Sequence, residues 1–243
     1  MLIPWSMRLA WHTTAFDSVP IPHHSSYRGL RMCRIFAIHA NRRTRVATSL
    51  LQSPTSLVHQ SVCDLRKECH DNGWGIGYHA HGLPERIRSA RPADEDSRYR
   101  ELAETVAATS LLAHIRKASA GSIAECNSHP FVHGRWLFAH NGTLYGFAEA
   151  PERLRRLLPE HLRKGIHGQT DSEHAFHLLL ARLEERIDDR ADVELDELAG
   201  ALIETIHILV DLYPGNDSER SQMNFVVTDG RLLAASRCRD IGR

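Results

Sequence analysis

The apolar positions in the first half of the chain predict four strands and one helix. Short apolar runs bounded by turn residues are typical of strands, and these are expected at residues 33–39, 74–79, 85–89 and 109–115. The first run is apolar enough to be buried on both faces, and the second and third form a predicted hairpin across His81-Gly82. Residues 98–108 have helical composition instead.

Two long amphipathic helices dominate the second half of the chain. Thr170-Asp171-Ser172-Glu173 has the form of a capping box, so a helix is expected from there to Ile187. Residues 193–213 predict a second helix that ends at Pro214-Gly215. A shorter helix is expected at residues 152–158.

Three further strands complete the pattern. Residues 135–139 lead into Asn141-Gly142, which we interpret as a tight turn. Residues 223–227 and 232–236 flank Asp229-Gly230, a strong hairpin signal. The order of strands, helix, strands, two helices and strands predicts an α+β fold, in which antiparallel sheets and helices are segregated.

Composition limits the expected binding partners and the expected cellular location. With 243 residues, the chain is long enough for one large domain or at most two small ones. Lysine plus arginine and aspartate plus glutamate number 30 each, so no net field indicates nucleic acid or a membrane surface as a partner. Five irregularly spaced cysteines do not suggest a disulfide framework, and we therefore expect a reducing, cytoplasmic location.

The first 31 residues differ from the rest of the chain. They lack a regular period, and they also lack the basic start and apolar stretch of a secretory signal. We interpret residues 1–32 as a leader that is disordered, removed, or the product of a start codon assigned too far upstream. The preferred interpretation takes Met32 as the initiator, which leaves residues 33–243 as the domain.

Four polar clusters follow one another along the predicted strands and helices. They supply a thiol, a cation, an oxyanion donor and a carboxylate, which suit attack on the side-chain amide of a zwitterionic amino acid. The clusters are Met32-Cys33-Arg34, the segment from His114 to Ser119, His140-Asn141-Gly142, and the segment from Thr170 to Glu173.

These clusters resemble the class II glutamine amidotransferases, which are N-terminal-nucleophile (Ntn) hydrolases. The likeness is greatest to the stand-alone YafJ-like proteins and to the γ-glutamyl hydrolase of ergothioneine biosynthesis. The resemblance implies a four-layer αββα sandwich of two antiparallel sheets, truncated at the C-terminus because such relatives continue with more strands. Besides the four clusters, it rests on Asp-Asn-Gly-Trp-Gly at 71–75, Asn-Ser-His-Pro-Phe at 127–131 and Asn-Phe-Val-Val-Thr-Asp-Gly at 224–230.

The resemblance implies that Cys33 is the nucleophile. A thiolate is the attacking species, and a free thiol has a pKa of about 8.5. An N-terminal α-amine, with a pKa of about 7.7–8.0, can take the thiol proton near neutral pH. Cys33 would then supply both nucleophile and base, provided that it is the first residue of the mature chain. The alternative is an inert cysteine buried in a strand.

The resemblance also assigns the rest of the pocket. It implies that Asn141 and Gly142 form the oxyanion hole, and that Arg116 clamps the substrate α-carboxylate. Asp171 would pair with the α-ammonium, and Ser119 would place a hydroxyl near the substrate. From residue type alone, Asn-Gly is equally typical of a turn, and an acid at a helix start is favoured by the helix dipole.

The expected function is hydrolysis of a γ-glutamyl amide, either glutamine or another γ-glutamyl compound, through a cysteine thioester. No cofactor or metal is expected, and a separate partner subunit remains possible. The alternative is a catalytically silent scaffold or regulatory subunit with Cys33 blocked, which an intact N-terminus would favour. A third hypothesis, a zinc-dependent binding module, rests on Cys63, Cys69, His70, His79 and His81, whose spacing does not match structural zinc sites.

Overall fold

The computed structural model describes residues 33–62, 70–118, 121–187, 192–216 and 220–239. Its strands are β1 (Arg34–Arg45), β2 (Trp74–His81), β3 (Leu83–Ser89), β4 (Ala107–Ile115), β5 (Phe131–His133), β6 (Trp136–Thr143), β7 (Gln222–Thr228), β8 (Leu233–Ala235) and β9 (Cys238–Arg239). Its helices are α1 (Leu57–Val62), α2 (Ser97–Thr105), α3 (Pro151–Arg155), α4 (Glu160–Lys164), α5 (Asp171–Glu184) and α6 (Leu195–Leu212). Short π- and 3₁₀-helical turns lie at Thr48–Gln52 and Glu125–Asn127.

The strands form two antiparallel sheets. The first has the order β1-β4-β2-β3, and the second has the order β5-β6-β7-β8, with β9 also paired to β7. In the first sheet Arg34 pairs with Ile115, so the start of β1 lies beside the end of β4. In the second sheet Gly142 pairs with Met223, near the start of β7.

Three apolar clusters define four layers. The inner faces of the two sheets meet through a cluster built on Leu112, Leu137 and Ala139. The outer face of the first sheet packs on α1 and α2, and the outer face of the second packs on the long helices α5 and α6. The arrangement is the αββα sandwich that the family resemblance implied.

Most predicted elements are present with shifted ends. The hairpin of β2 and β3 turns at Gly82, whose φ of 104° suits glycine. The first strand runs six residues further than residues 33–39 and is half-buried rather than buried on both faces, because β1 is the edge of its sheet. The helix predicted at 98–108 ends at Thr105, since the chain turns extended at Val106 to enter β4.

The predicted turn at Asn141-Gly142 is wrong. Both residues continue β6, where Asn141 pairs with Asn224 and Gly142 with Met223. Pairing with β7 supplies the backbone hydrogen bonds that a turn would otherwise provide. Glycine is required at 142 for another reason: a Cβ there would lie 2.0 Å from the carbonyl oxygen of Gln222.

The start of α5 forms as predicted, but only half of the capping box does. The Thr170 hydroxyl accepts a hydrogen bond from the Glu173 N–H at 3.2 Å. The Glu173 carboxylate accepts instead from the N–H groups of His167 and Gly168, at 3.1 and 2.6 Å. A complete capping box occurs at α6, between Glu194 and Glu197.

Several sequence predictions fall outside the described residues: the leader at 1–32, Ser119, and the cysteines at 63 and 69. Truncation at the C-terminus also stays a prediction. Among the helices in the described part of the chain, none is long and apolar enough to cross a membrane.

Candidate active site

A small cavity opens where the two sheets and the start of α5 converge. The antiparallel register of β1 and β4 places Cys33, directly before β1, beside Arg116, directly after β4. From the other side, β6 contributes Gly142 and the N-terminus of α5 contributes Asp171. The cavity is lined by Cys33, Arg116, Lys117, His129, His140, Gly142, Thr170, Asp171 and Ser172.

The Cys33 thiol is held by the backbone of the neighbouring strand end. Its sulfur accepts a hydrogen bond from the Lys117 N–H and lies 3.3 Å from the Lys117 carbonyl oxygen, to which the thiol donates. Burial raises the pKa of the Cys33 thiol, while the Lys117 N–H and the Arg116 charge lower it less. The resting form is therefore the thiol, and attack requires a base.

Arg116 is buried, and its guanidinium contacts the loop that follows it. Nη1 donates to the Ser122 carbonyl at 2.9 Å and Nη2 to the Gly121 carbonyl at 3.5 Å. These contacts fix a cation at the cavity wall. A fixed guanidinium is suited to bind a carboxylate.

The Asp71-Asn72-Gly73 segment, part of one of the motifs that carry the family resemblance, braces Arg116. The Arg116 N–H donates to the Gly73 carbonyl at 2.8 Å, and the Asn72 N–H donates to the Arg116 carbonyl at 3.2 Å. The Asn72 side chain also accepts from the Ala118 N–H at 2.9 Å. The segment thereby fixes the backbone on which both Arg116 and the Lys117 contact to Cys33 depend.

Asn141 and Gly142 lie side by side in β6, and Gly142 lines the cavity. The Asn141 carbonyl accepts from the Asn224 side-chain amide at 2.7 Å, which ties this strand to β7. The Asn141 side-chain oxygen is buried, and no hydrogen-bond partner for it exists among the described residues. The amide oxygen is thus turned into the protein.

Asp171 is buried at the N-terminus of α5 and holds two parts of the chain together. Oδ2 accepts from the Leu144 N–H at 2.7 Å, just beyond β6. Oδ1 accepts from the Ser172 N–H at 2.8 Å and from the Ser172 hydroxyl at 3.1 Å. The carboxylate therefore has a fixed orientation at the cavity.

Two buried histidines, His129 and His140, line the cavity, and a third, His114, packs against His129. His140 is hydrogen-bonded through Nδ1 to the Ser172 hydroxyl at 2.9 Å and through Nε2 to the Gln222 carbonyl at 2.7 Å. The ring nitrogens of His129 have no hydrogen-bond partner among the described residues, and the ring packs at a tilt of 42° against His114, with 4.2 Å between the ring centroids. Burial lowers the pKa of all three rings, that of His114 to about 3.

Four of the sequence-predicted site residues line one cavity, namely Cys33, Arg116, Gly142 and Asp171. Asn141 is adjacent in the same strand, and Ser119 lies outside the described residues. The sequence did not single out Thr170 and Ser172 as cavity residues, although both belong to the motif that contains Asp171. In the described parts of the chain, no group of three or more histidine, cysteine or acidic side chains could hold a metal ion.

Comparison with known proteins decides the family. The family model described as glutamine amidotransferases class-II matches residues 32–241, nearly all of the chain beyond the first 31 residues. The chain belongs to the class II glutamine amidotransferases. The members of this family are enzymes.

Individual relatives of this amidotransferase chain agree. It is 27% identical to a probable glutamine amidotransferase of Saccharomyces cerevisiae, over 85% of the chain and 63% of that protein. It is 33% identical to the gamma-glutamyl-hercynylcysteine sulfoxide hydrolase of Mycobacterium tuberculosis, over 41% of the chain and 44% of that protein. The chain thus spans less than two thirds of the length of each of these relatives.

A solved structure supports the amidotransferase fold. The glutamine aminotransferase class-II domain protein of Silicibacter pomeroyi superposes with a TM-score of 0.53 at 26% identity, covering 68% of each chain. The α+β sandwich of two antiparallel sheets is therefore the family architecture.

Proposed function

We propose that the protein hydrolyses a γ-glutamyl amide through a thioester on Cys33. The observation that carries the proposal is the convergence of a thiol, a buried arginine and a buried aspartate on one cavity, beside a backbone glycine. A thiol next to one cation and one anion suits an amino acid that carries a carboxylate and an ammonium.

The base in this proposal is the α-amine of Cys33. Burial raises the pKa of the thiol, so a base must remove its proton. Both ring nitrogens of His140 are engaged, and burial lowers the pKa of His129 well below its usual range. An α-amine has a pKa of about 7.7–8.0 and would be part of the same residue. The mechanism therefore requires a mature chain that begins at Cys33.

Substrate orientation is assigned to the two charged walls. Arg116 would bind the α-carboxylate, and Asp171 would bind the α-ammonium. Both side chains are buried and held by backbone groups, Arg116 by carbonyls of its own loop and Asp171 by the N–H groups of Leu144 and Ser172. In the proposed binding mode, such fixed partners would place the side-chain amide of the substrate toward Cys33.

The proposed reaction has two steps, formation of the thioester and its hydrolysis. The thiol proton passes to the α-amine, the sulfur bonds to the γ-carbonyl carbon, and the carbon–nitrogen bond breaks as the amine leaves with a proton. Water then adds to the thioester, a carbon–oxygen bond forms, and the carbon–sulfur bond breaks to release glutamate and restore the thiol. The Gly142 N–H and the Asn141 amide are assigned as hydrogen-bond donors to the oxyanion in both steps. Removal of one such donor typically lowers the rate by roughly a hundred- to a thousandfold.

The substrate class proposed is a γ-glutamyl compound with a free α-amino acid end. The proposal is supported by the Mycobacterium tuberculosis relative, a gamma-glutamyl-hercynylcysteine sulfoxide hydrolase, and by the Saccharomyces cerevisiae relative, a probable glutamine amidotransferase. We propose a cytoplasmic enzyme, since a free thiol nucleophile needs reducing conditions. The alternative fate of the released amine is transfer to a separate partner subunit.

The test compares the full chain with a chain whose translation starts at Met32, so that removal of this methionine exposes Cys33. Ammonia release from L-glutamine is measured for both, with Cys33→Ala as the control. We expect turnover only where the N-terminus is Cys33, and none in the variant. A Cys33-initiated, folded chain without turnover of glutamine or γ-glutamyl peptides would favour the silent scaffold instead.

A further inference from the structure

A chain of hydrogen bonds behind the cavity connects the two halves of the proposed site. It runs from the Gln222 carbonyl to His140 Nε2 at 2.7 Å, and from His140 Nδ1 to the Ser172 hydroxyl at 2.9 Å. It continues from the Ser172 hydroxyl to Asp171 Oδ1 at 3.1 Å. All four residues are less than one-tenth exposed, so water does not compete for these groups.

This chain of hydrogen bonds has one proton fewer than its acceptor atoms require. The Gln222 carbonyl can only accept, so Nε2 of His140 carries the ring proton. Burial lowers the pKa of His140, which favours the neutral ring and leaves Nδ1 as an acceptor. An ionised Asp171 is also an acceptor. The single hydroxyl proton of Ser172 therefore has two acceptors, and it can serve only one of them at a time.

The two ends of this chain meet the two groups that handle the substrate. At one end, a Cβ on Gly142 would lie 2.8 Å from His140 Nε2 and 2.0 Å from the Gln222 carbonyl oxygen. The His140–Gln222 pair is thus the wall against which Gly142 packs. At the other end, Asp171 lines the cavity.

We propose that Ser172 and His140 are positioning residues that couple recognition of the substrate α-ammonium to the placement of Gly142. An ammonium bound to Asp171 satisfies Oδ1, so the Ser172 hydroxyl turns to His140 Nδ1. That bond fixes the ring with its Nε2–H on Gln222, and it steadies the wall behind Gly142. The inference rests on the proposed function and adds a specificity device to it: the α-ammonium raises kcat as well as binding.

The kinetic test uses Ser172→Ala in the Cys33-initiated protein. Its matched control is Ser110→Ala, another buried serine, which is hydrogen-bonded to Thr228 at 2.8 Å and does not line the cavity. Turnover is compared for L-glutamine and for glutaramate, which lacks the α-ammonium. We expect Ser172→Ala to lower kcat for glutamine about tenfold, as for one hydrogen bond to a charged group, and to leave kcat for glutaramate unchanged. Equal losses on both substrates, or no loss on either, would overturn the coupling.

A spectroscopic test separates this inference from the proposed function. The ring nitrogens of His140 are followed by NMR in ¹⁵N-histidine-labelled protein while L-glutamate is added. We expect a shift at Nδ1 in the wild type and in Ser110→Ala, and none in Ser172→Ala. The coupling would be overturned if the His140 Nδ1 signal did not shift in the wild type, or if the shift persisted in Ser172→Ala. Absence of turnover with a responsive ring would reject the hydrolase function alone.

Discussion

Gly142 is the residue at which the backbone leaves no room for a side chain. A Cβ would lie 2.0 Å from the Gln222 carbonyl oxygen, which belongs to a paired strand and cannot move away. We expect Gly142→Ala to lower the free energy of unfolding by about 2 kcal/mol, within the range for overpacking, and to abolish turnover. Urea unfolding measures this change.

The matched control for Gly142→Ala is Gly200→Ala in α6. The nearest atom to a Cβ at 200 is Arg186 Nε, at 3.6 Å, so a methyl group fits. Alanine is favoured over glycine inside a helix by about 1 kcal/mol, and we expect the control to be more stable than the wild type. Comparable losses at both positions would contradict the packing described for β6 and β7.

His114 gives the fold a dependence on pH. Burial, and next the Arg116 charge, lower the pKa of His114 to about 3, whereas an unfolded histidine has a pKa of about 6.5. Below the unfolded pKa, the unfolded state binds a proton that the folded state does not. The contribution of neutral His114 to the free energy of unfolding is therefore complete above about pH 6.5. As the pH falls from there toward about 3, the free energy of unfolding decreases by about 1.4 kcal/mol per pH unit.

The variant that tests this pH dependence is His114→Gln. We expect its free energy of unfolding to fall less steeply with decreasing pH than that of the wild type. The difference between the two slopes should be about 1.4 kcal/mol per pH unit. Ser110→Ala, a buried substitution without a titrating group in the same strand, should keep the wild-type slope. Chemical unfolding at several pH values measures it, and an unchanged slope in His114→Gln would refute the assignment.

At the scale of elements, α5 depends on the cap that presents Asp171. The Thr170 hydroxyl satisfies the Glu173 N–H at 3.2 Å, and we expect Thr170→Ala to destabilise the protein by about 1 kcal/mol. Thr105→Ala is the control, because the exposed Thr105 hydroxyl bonds only the Glu101 carbonyl of its own helix. Thermal unfolding compares the two, and equal midpoints would show that the cap does not stabilise α5.

Local sequence predicted those elements that local interactions determine. The β2–β3 hairpin follows from apolar runs around Gly82, and the start of α5 follows from Thr170. The Asn141-Gly142 pair was misassigned because pairing with β7 overrides its local preference for a turn. Strand formation depends strongly on tertiary context, and the paired residues of β7 lie about 80 residues further along the chain. No local pattern indicates such a partner.

At the scale of the whole molecule, the two sheets bring the halves of the site together. Cys33 and Arg116 belong to the first sheet, and Gly142 belongs to the second. Leu112 is fully buried between the sheets, so we expect Leu112→Ala to cost about 2–5 kcal/mol of stability and to reduce turnover. Leu83→Ala, at a residue 69% exposed, should change stability by less than about 0.5 kcal/mol.

Denaturant unfolding and turnover are measured on both leucine variants. If Leu112→Ala were as stable as Leu83→Ala, the face-to-face packing of the sheets would be refuted. If it were destabilised but fully active below its unfolding transition, the sheets would pack as described without controlling the site.

Most of the proposed site could be predicted from the sequence, because the motifs of the family occur in order along it. Their convergence on one cavity, however, depends on sheet register and on packing between sheets. Ser172 was missed for this reason: its role depends on His140 and Gln222, which approach it only in the folded chain. The lack of a hydrogen-bond partner for the His129 ring among the described residues likewise depends on burial, which the motif does not reveal.

The central claim is that Cys33 carries the γ-glutamyl group during turnover. The most direct measurement is the intact mass of the Cys33-initiated protein, mixed with L-glutamine and quenched in acid within one turnover, followed by peptide mapping. We expect a mass increase of one γ-glutamyl group on the Cys33 peptide, and neither adduct nor ammonia in Cys33→Ala. An adduct on Cys126 or Cys238 instead, or ammonia release that persists in Cys33→Ala, would contradict the account.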